Sequence, residues 1–172
     1  MEGKGNVAIG AKIRGFFFPR LTRRFWIRLA VMALSAYLLF SQVCIPLRIR
    51  GISMEPTYQD GQFNFCWRFR YTFSKPKRGD VVVVRLAGKK IMLLKRVVAL
   101  EGEEVEFCEG QLFVNGRQVE EPYVRYPCGW NLQPRRVEPG HVYLIGDNRS
   151  MPMEQHQFGQ TPVNRIVGSP LW

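Results

Sequence analysis

The sequence predicts a mainly β domain, in a sandwich or barrel arrangement, behind one N-terminal transmembrane helix. Three observations carry this expectation. A single long apolar run, "FWIRLAVMALSAYLLFSQVCIP" from Phe25 to Pro46, has no formal charge between Leu29 and Ile45. A basic arm leads directly into it. From Arg48 onward there is no helical periodicity, only short β-rich runs separated by Gly, Pro and Asn. At 172 residues the chain is long enough for one domain with a real core and too short for two sizeable ones.

The elements follow in chain order. Residues 1–24 form the basic arm. The net charge of +11 first suggests a nucleic acid or an anionic membrane as partner, and its distribution decides between them. Seven cations precede residue 29, where Glu2 is the only acid, whereas the rest of the chain is only mildly basic. Residues 25–46 form the anchor: Phe25 to Ile45 reaches ~30 Å as a helix, enough for a bilayer core. Arg28 sits where its stem can snorkel beside Trp26, and Pro46 is expected to end the helix. The run is long for a cleavable signal peptide and shows no small-x-small cleavage site, so the anchor is read as uncleaved. The cation excess upstream puts the N-terminus in the cytoplasm, across a cytoplasmic (inner) membrane, and residues 47–172 outside, on the periplasmic side. An exported domain makes nucleic acid a poor partner, and leaves the lipid bilayer as one.

Within 47–172 the strands are read from the buried run "DVVVVRLA" (80–87), from "IMLLKRVVAL" (91–100), from "EVEFCEG" and "QLFVNGRQV" as a hairpin with an Asn-Gly turn, and from "HVYLIGDN" (141–148). In "FNFCWRFRYTF" every second residue from Phe63 to Phe73 is aromatic. Such a period-2 stripe belongs to a strand whose rings fill the core, or to a platform dipping into the membrane interface. Cys108 and Cys128 bracket a segment with its own turn and are candidates for a disulfide in an oxidising compartment, buried free thiols being the alternative. His141 and His156 have no partners at metal-ligand spacing, so neither metal nor cofactor is expected.

The chemistry centres on "RGISMEPTYQDG" (50–61), just outside the anchor. Ser53 needs a base to become nucleophilic. Neither histidine lies in a serine-hydrolase motif and there is no G-x-S-x-G elbow. The other base is a lysine freed of its proton by burial. In "IMLLKRVVAL", strand alternation puts Lys95 on one face with Leu93, Val97 and Ala99, an apolar setting where a neutral amine can exist; the alternative is an edge lysine reaching solvent.

"SMEPT" (53–57), "RGDVVVV" (78–84), "KRVVALEGE" (95–103) and "GDNR" (146–149), in that order behind an anchor, resemble the type I signal peptidases, and the likeness runs over roughly residues 50–170, including "IVGSP". The resemblance implies a membrane-bound Ser-Lys endopeptidase that removes signal peptides from exported preproteins after Ala-x-Ala type sites, acting without a cofactor and as a monomer. It implies Ser53 as nucleophile, Lys95 as general base and the Ser53 N–H as oxyanion donor. Gly51, where some members carry a hydroxyl, would let the substrate strand approach, and Met54 would help form shallow pockets. "SMEPT" contributes Pro56, which stiffens the turn, and Thr57; "KRVVALEGE" contributes Arg96; "GDNR" contributes Gly146, Asp147, Asn148 and Arg149. After "GDNR" the family continues with a serine, then Asp-Ser-Arg, then Gly, whereas this chain reads "SMPMEQHQFG". Counting back from Gly159, Pro152, Glu154 and His156 occupy the serine, aspartate and arginine positions. Pro152 has no hydroxyl to orient the lysine; Ser150 is the available substitute, and Glu154 could pair with His156. Two other readings stay open: a specialised processing peptidase of the same family, of conjugation or organelle type, and a non-catalytic tethered β-domain that binds a partner. Self-cleaving repressors share the dyad but are soluble and carry a cut site where this chain has its apolar run.

Overall fold

The structure, a computed structural model, describes residues 22–85, 92–153 and 159–172. The chain divides into two units, Met1–Ser41 and Gln42–Trp172. The first contains α1 (Arg23–Leu38), whose N-cap Thr22 accepts a hydrogen bond from the Phe25 N–H at 3.3 Å. A π-helical turn, Leu39–Val43, extends the run. Together they give 21 residues, long and apolar enough to cross a membrane, and no side chain of α1 is buried.

Among the described residues, the second unit has eleven strands in two antiparallel sheets. The larger has the order β1-β2-β11-β3-β4-β9-β10, and the smaller β7-β6-β5-β8. The predicted strands are present as β3 (Val81–Arg85), β4 (Met92–Ala99), β5 (Glu104–Cys108), β6 (Gln111–Val114), β7 (Arg117–Gln118) and β9 (His141–Ile145). The β6–β7 hairpin turns on Asn115 and Gly116, both with positive φ, as an Asn-Gly turn requires. The strands that carry no clear alternation are β1 (Cys44–Arg48), β8 (Leu132–Arg136), β10 (Gly159–Pro162) and β11 (Ile166–Pro170). Pro46 does not end the helix: the helical run stops at Val43, and Pro46 lies in β1 opposite Phe65 of β2 (Phe63–Trp67). As an edge strand of its sheet, β1 tolerates a residue with no N–H to donate.

The aromatic stripe does not form one long strand with all its rings in the core, the first of its two readings. Pairing ends at Trp67, and Arg68–Tyr71 form a 3-10 turn, drawn back by the Tyr71 hydroxyl donating to Asp80 Oδ2 at 3.1 Å. The buried face of β2 belongs to Asn64 and Cys66, so the rings of Phe63, Trp67, Phe69 and Phe73 stay exposed, Phe73 at 96 %. Phe65 lies between them, edge-on to Phe63 and to Trp172. Hydrophobicity alone does not decide which face of a strand turns inward; here the partner strand β11 does, since Gly168 brings it against the Trp67 backbone so closely that a Cβ would lie 2.2 Å from the Trp67 oxygen.

The main core joins both sheets: Val98 and Ala99 of β4, Val105 and Phe107 of β5, Leu112 and Val114 of β6, and Tyr143 and Ile145 of β9, with Trp130 edge-on to Phe107 at 5.7 Å. In the structure Cys108 and Cys128 are both free thiols. Alternation along β5 turns Val105 and Phe107 inward and Cys108 out to solvent, whereas Cys128 packs against the core on the inner side. The acidic face of β5 is solvated or half-buried.

Candidate active site

Ser53 lies on the loop joining β1 to β2. Backbone bonds close the loop at its base, from Ile49 N–H to Gln62 O and from Gly61 N–H to Ile49 O, both 2.9 Å. Gly51 has φ +91°, a conformation that only glycine adopts without strain, and its N–H donates to Asp60 Oδ1 at 2.7 Å. The Glu55–Pro56 peptide is cis. Ile49, Met54 and Tyr58 form an apolar plug that packs on Val81 of β3 and Leu94 of β4, the residue before Lys95. Met54 is therefore withdrawn beneath the loop, 1 % exposed, and supports the site from below, while Ile52 is exposed and Ser53 half-buried beside it.

Lys95 is 5 % exposed in the middle of β4, opposite Val82 of β3. It shares that face with Val82 and Val97, both fully buried. Burial in apolar surroundings lowers the amine from 10.5 to about 8, against the opposing pull of the Asp147 carboxylate. The edge reading, with the amine in solvent, is thus excluded. Pairing of β9 to β4 begins at Ile145–Arg96, so no strand residue faces Lys95 on that side among the described residues. The chain after β9 turns to the Ser53 loop instead. Asn148 N–H donates to Ser53 O at 3.1 Å, and Asn148 Nδ2 to Ile52 O at 3.1 Å.

The "GDNR" turn is buried throughout and holds three elements together. Asp147 Oδ1 and Oδ2 accept Nε and Nη2 of Arg96 at 2.8 and 2.6 Å, and Oδ2 also accepts from the Thr57 hydroxyl. This ties the Ser53 loop, β4 and the end of β9 through one carboxylate. Gly146 O accepts from Arg149 Nε at 2.8 Å, and Arg149 is itself 1 % exposed. The Ser150 hydroxyl donates to Asn148 Oδ1 at 2.7 Å. Pro152 is exposed, and Glu154 and His156 lie outside the described residues. Asn148→Ala removes the clamp on Ile52 and the acceptor of Ser150, and is expected to cost about 1–2 kcal/mol, read from the denaturant midpoint.

Three residues were absent from the sequence reading. Tyr58 is buried near Arg96 and Asp147, and burial first of all pushes its hydroxyl up. Tyr123 lies with its ring centroid 3.9 Å from Arg96 Cζ. Glu121 accepts both Nη atoms of Arg149, at 3.1 and 2.6 Å. Tyr58, next to "SMEPT", could have been found as an apolar residue at helical-turn spacing from Met54. Glu121 and Tyr123 carry no local signal, since long-range folding alone brings them here.

The arrangement defines a class: a β domain, following an apolar helix, that holds a serine loop against a strand bearing a buried lysine. A family model described as "Signal peptidase, peptidase S26" matches residues 22–171, and the chain belongs to that family. It is similar to "Signal peptidase I V" of Bacillus subtilis, 29 % identical over 163 residues that cover 86 % of this chain and 96 % of that protein. It is 32 % identical to "Probable signal peptidase I-1" of Synechocystis over 152 residues, 84 % of this chain and 78 % of that one. "Thylakoidal processing peptidase 1, chloroplastic" of Arabidopsis thaliana is 32 % identical over 155 residues, 83 % of this chain; the chain spans 46 % of that relative and 41 % of a second thylakoidal one. A crystal structure of a signal peptidase I from Enterococcus faecalis shows a partial likeness, with a TM-score of 0.46 and 24 % identity over 56 % of this chain and 97 % of that one.

Proposed function

We propose that this chain is a membrane-bound serine endopeptidase that removes signal peptides from exported preproteins, with Ser53 as nucleophile and Lys95 as general base. The observation that carries the reading is the buried Lys95 amine, whose pKa of about 8 leaves a working fraction neutral near physiological pH. Neutral Lys95 takes the Ser53 hydroxyl proton as Oγ attacks the scissile carbonyl carbon. The oxyanion that develops is met by the Ser53 N–H, a contribution of about 3 kcal/mol when well aligned. Collapse breaks the C–N bond, the leaving amine takes the proton from Lys95, and the signal peptide remains as an ester on Ser53. Lys95 then deprotonates a water, which attacks the ester; the signal peptide leaves as a carboxylic acid and Ser53 recovers its proton.

The substrate would bind extended along the site, with small residues at the first and third positions before the cut. The exposed Ile52 and the well-buried Met54 leave shallow space there rather than a deep pocket. Ser53 follows the end of the apolar helical run by only ten residues, which suits cleavage at a membrane surface. The domain division (arm 1–24, anchor 25–46, catalytic domain 47–172), the cytoplasmic N-terminus, the outer-side catalytic domain, the bilayer contact and the monomeric state are parts of the same proposal. The names of the bacterial and thylakoidal relatives support it.

The test is cleavage in trans of a preprotein with an Ala-x-Ala site, using the purified full chain in detergent and N-terminal sequencing of the product. Wild type is expected to cut after the second alanine, and folded Ser53→Ala to lose at least about 10³-fold in rate, the scale on which one acyl-transfer nucleophile acts. Equal rates for the two proteins contradict the assignment.

A further inference from the structure

Asn148 holds the peptide planes on both sides of Ser53. Its N–H donates to Ser53 O and its side-chain Nδ2 to Ile52 O, each at 3.1 Å. Ile52 O belongs to the same peptide unit as the Ser53 N–H. That unit is planar and trans, so its N–H points opposite to its carbonyl. A donor seated on Ile52 O therefore fixes the direction in which the Ser53 N–H is aimed. Among the described residues no hydrogen bond uses that N–H, which leaves it for an oxyanion. Ile52 O also accepts from the Glu55 N–H at 3.0 Å, but this bond lies within the loop and moves with it. The Asn148 bond instead ties the loop to a residue 96 positions away in the chain.

Asn148 is itself held in one arrangement. It is 3 % exposed. Its Oδ1 accepts the Ser150 N–H at 3.0 Å and the Ser150 hydroxyl at 2.7 Å. A turned amide would set its NH2 against the Ser150 N–H, donor on donor, so Nδ2 is the end that faces Ile52. The residues on either side are anchored by buried ion pairs. Asp147 is held by Arg96, and Arg149 by Glu121 on the excursion between β7 and β8, both at 2.6 Å. The Arg149 N–H also donates to Tyr126 O of that excursion at 3.2 Å. A hydrogen bond at a carbonyl oxygen further polarises the amide, which makes its N–H the stronger donor.

We propose that Asn148 is a positioning residue for the oxyanion hole: by holding Ile52 O it aims the Ser53 N–H at the oxygen that becomes negative, and Ser150 fixes which end of its amide does so. The inference rests on the Ser53–Lys95 reading for its catalytic meaning and adds a residue that the mechanism there does not use. An oxyanion donor helps only while the carbonyl carbon is tetrahedral, so a loss of aim lowers kcat and leaves substrate binding alone.

The bond itself is read by NMR, beside cleavage kinetics. Ile52–Ser53 is the only Ile-Ser sequence in the chain. The full chain in detergent micelles, labelled with ¹³C′-isoleucine and ¹⁵N-serine, therefore gives one cross-peak linking the Ile52 carbonyl to the Ser53 amide. In Asn148→Ala the Ile52 carbonyl carbon is expected to move upfield as its oxygen loses a donor. For an Ala-x-Ala preprotein kcat is expected to fall about tenfold or more, with KM within about twofold. A peptide aldehyde ending in Ala-x-Ala separates aim from general loosening. Ser53 Oγ adds to its carbonyl carbon, the C=O π bond opens to an oxyanion, and the hydroxyl proton passes to Lys95. Affinity for the aldehyde is expected to fall by about the same factor as kcat, and affinity for the matching peptide amide to stay within about twofold, whereas a loosened site lowers both. Ser150→Ala is expected to give a smaller loss, and Ser150→Thr, which keeps the hydroxyl, to restore it. Should Asn148→Ala fail to fold, Asn148→Asp, of nearly equal volume and lacking the donor at pH 7, decides by the same carbonyl movement. An Ile52 carbonyl signal unmoved in the folded variant overturns the proposal even if wild type cleaves, and so does a moved signal with wild-type kcat. A signal that moves in a protein whose wild type never cleaves sustains the hold on the peptide plane and counts against the peptidase reading alone.

Discussion

Lys95→Met is expected to abolish cleavage and, at pH 7, to make the protein more stable, by about 3–4 kcal/mol. A buried lysine in Lys95's place is a cost to folding. Its amine falls from 10.5 to about 8 because burial penalises the charge, and each pKa unit lost corresponds to ~1.4 kcal/mol. Methionine fills nearly the same volume without that penalty. The sign follows from proton counts. Between about 8 and 10.5 the unfolded chain still holds the Lys95 proton and the folded chain has released it, so wild-type stability rises with pH across that window. Below pH 8 the penalty is present in full. The advantage of the variant is therefore largest below pH 8 and vanishes as pH approaches 10.5. Denaturant unfolding of both proteins at pH 6.5 and pH 10 reads this directly; equal stability at both values would contradict the burial of a destabilised amine.

Asp147→Asn is expected to act in the opposite direction, lowering stability by about 3–5 kcal/mol, the usual cost of leaving one member of a buried ion pair alone. Asp147 is fully buried and Arg96 has only 11 % of its side chain exposed, so the guanidinium left behind cannot hydrate. The loss extends to Thr57, whose hydroxyl donates to the same carboxylate and ties the Ser53 loop to it. The pair Arg78–Glu103 serves as the contrast. With Arg78 at 38 % and Glu103 at 21 % exposure, its removal is expected to cost at most about 1 kcal/mol. Removing both partners, as Arg96→Met with Asp147→Asn, is expected to recover part of the loss, because no buried charge remains. A double-mutant cycle by denaturant unfolding measures the coupling, and a cost for Asp147→Asn no larger than that of the surface pair would contradict a central role for this carboxylate.

The residues that were legible in the sequence are those whose role is written in local pattern. Alternation about Lys95 placed it among apolar neighbours, and β4 buries it there. The Asn-Gly turn gave the β6–β7 hairpin, and the run of valines gave β3. Elements with no local pattern were not legible. β1 reads as the tail of an apolar helix because its residues are apolar, and only pairing with β2 makes Cys44–Arg48 a strand. The ring stripe from Phe63 has a clear period, but the period does not say which face is covered; Asn64 and Cys66 take the inside because β11 and the C-terminal Trp172 carbonyl cover that side, the latter accepting from Asn64 Nδ2. Within the site, Arg96 and Asp147 were visible as motif letters, yet the bond between them is a contact across 51 residues. Glu121 and Tyr123 belong to no motif, and their part is set entirely by where the β7–β8 excursion returns.

The most direct test of the account is the pH dependence of single-turnover cleavage of an Ala-x-Ala preprotein by the full chain in detergent. A Ser53 activated by Lys95 predicts a rate that rises with pH along one ionisation and levels off above a midpoint near about 8, where the buried amine is neutral. A midpoint near ~6.5, where an unperturbed histidine titrates, would contradict the account and move the base to His141 or His156.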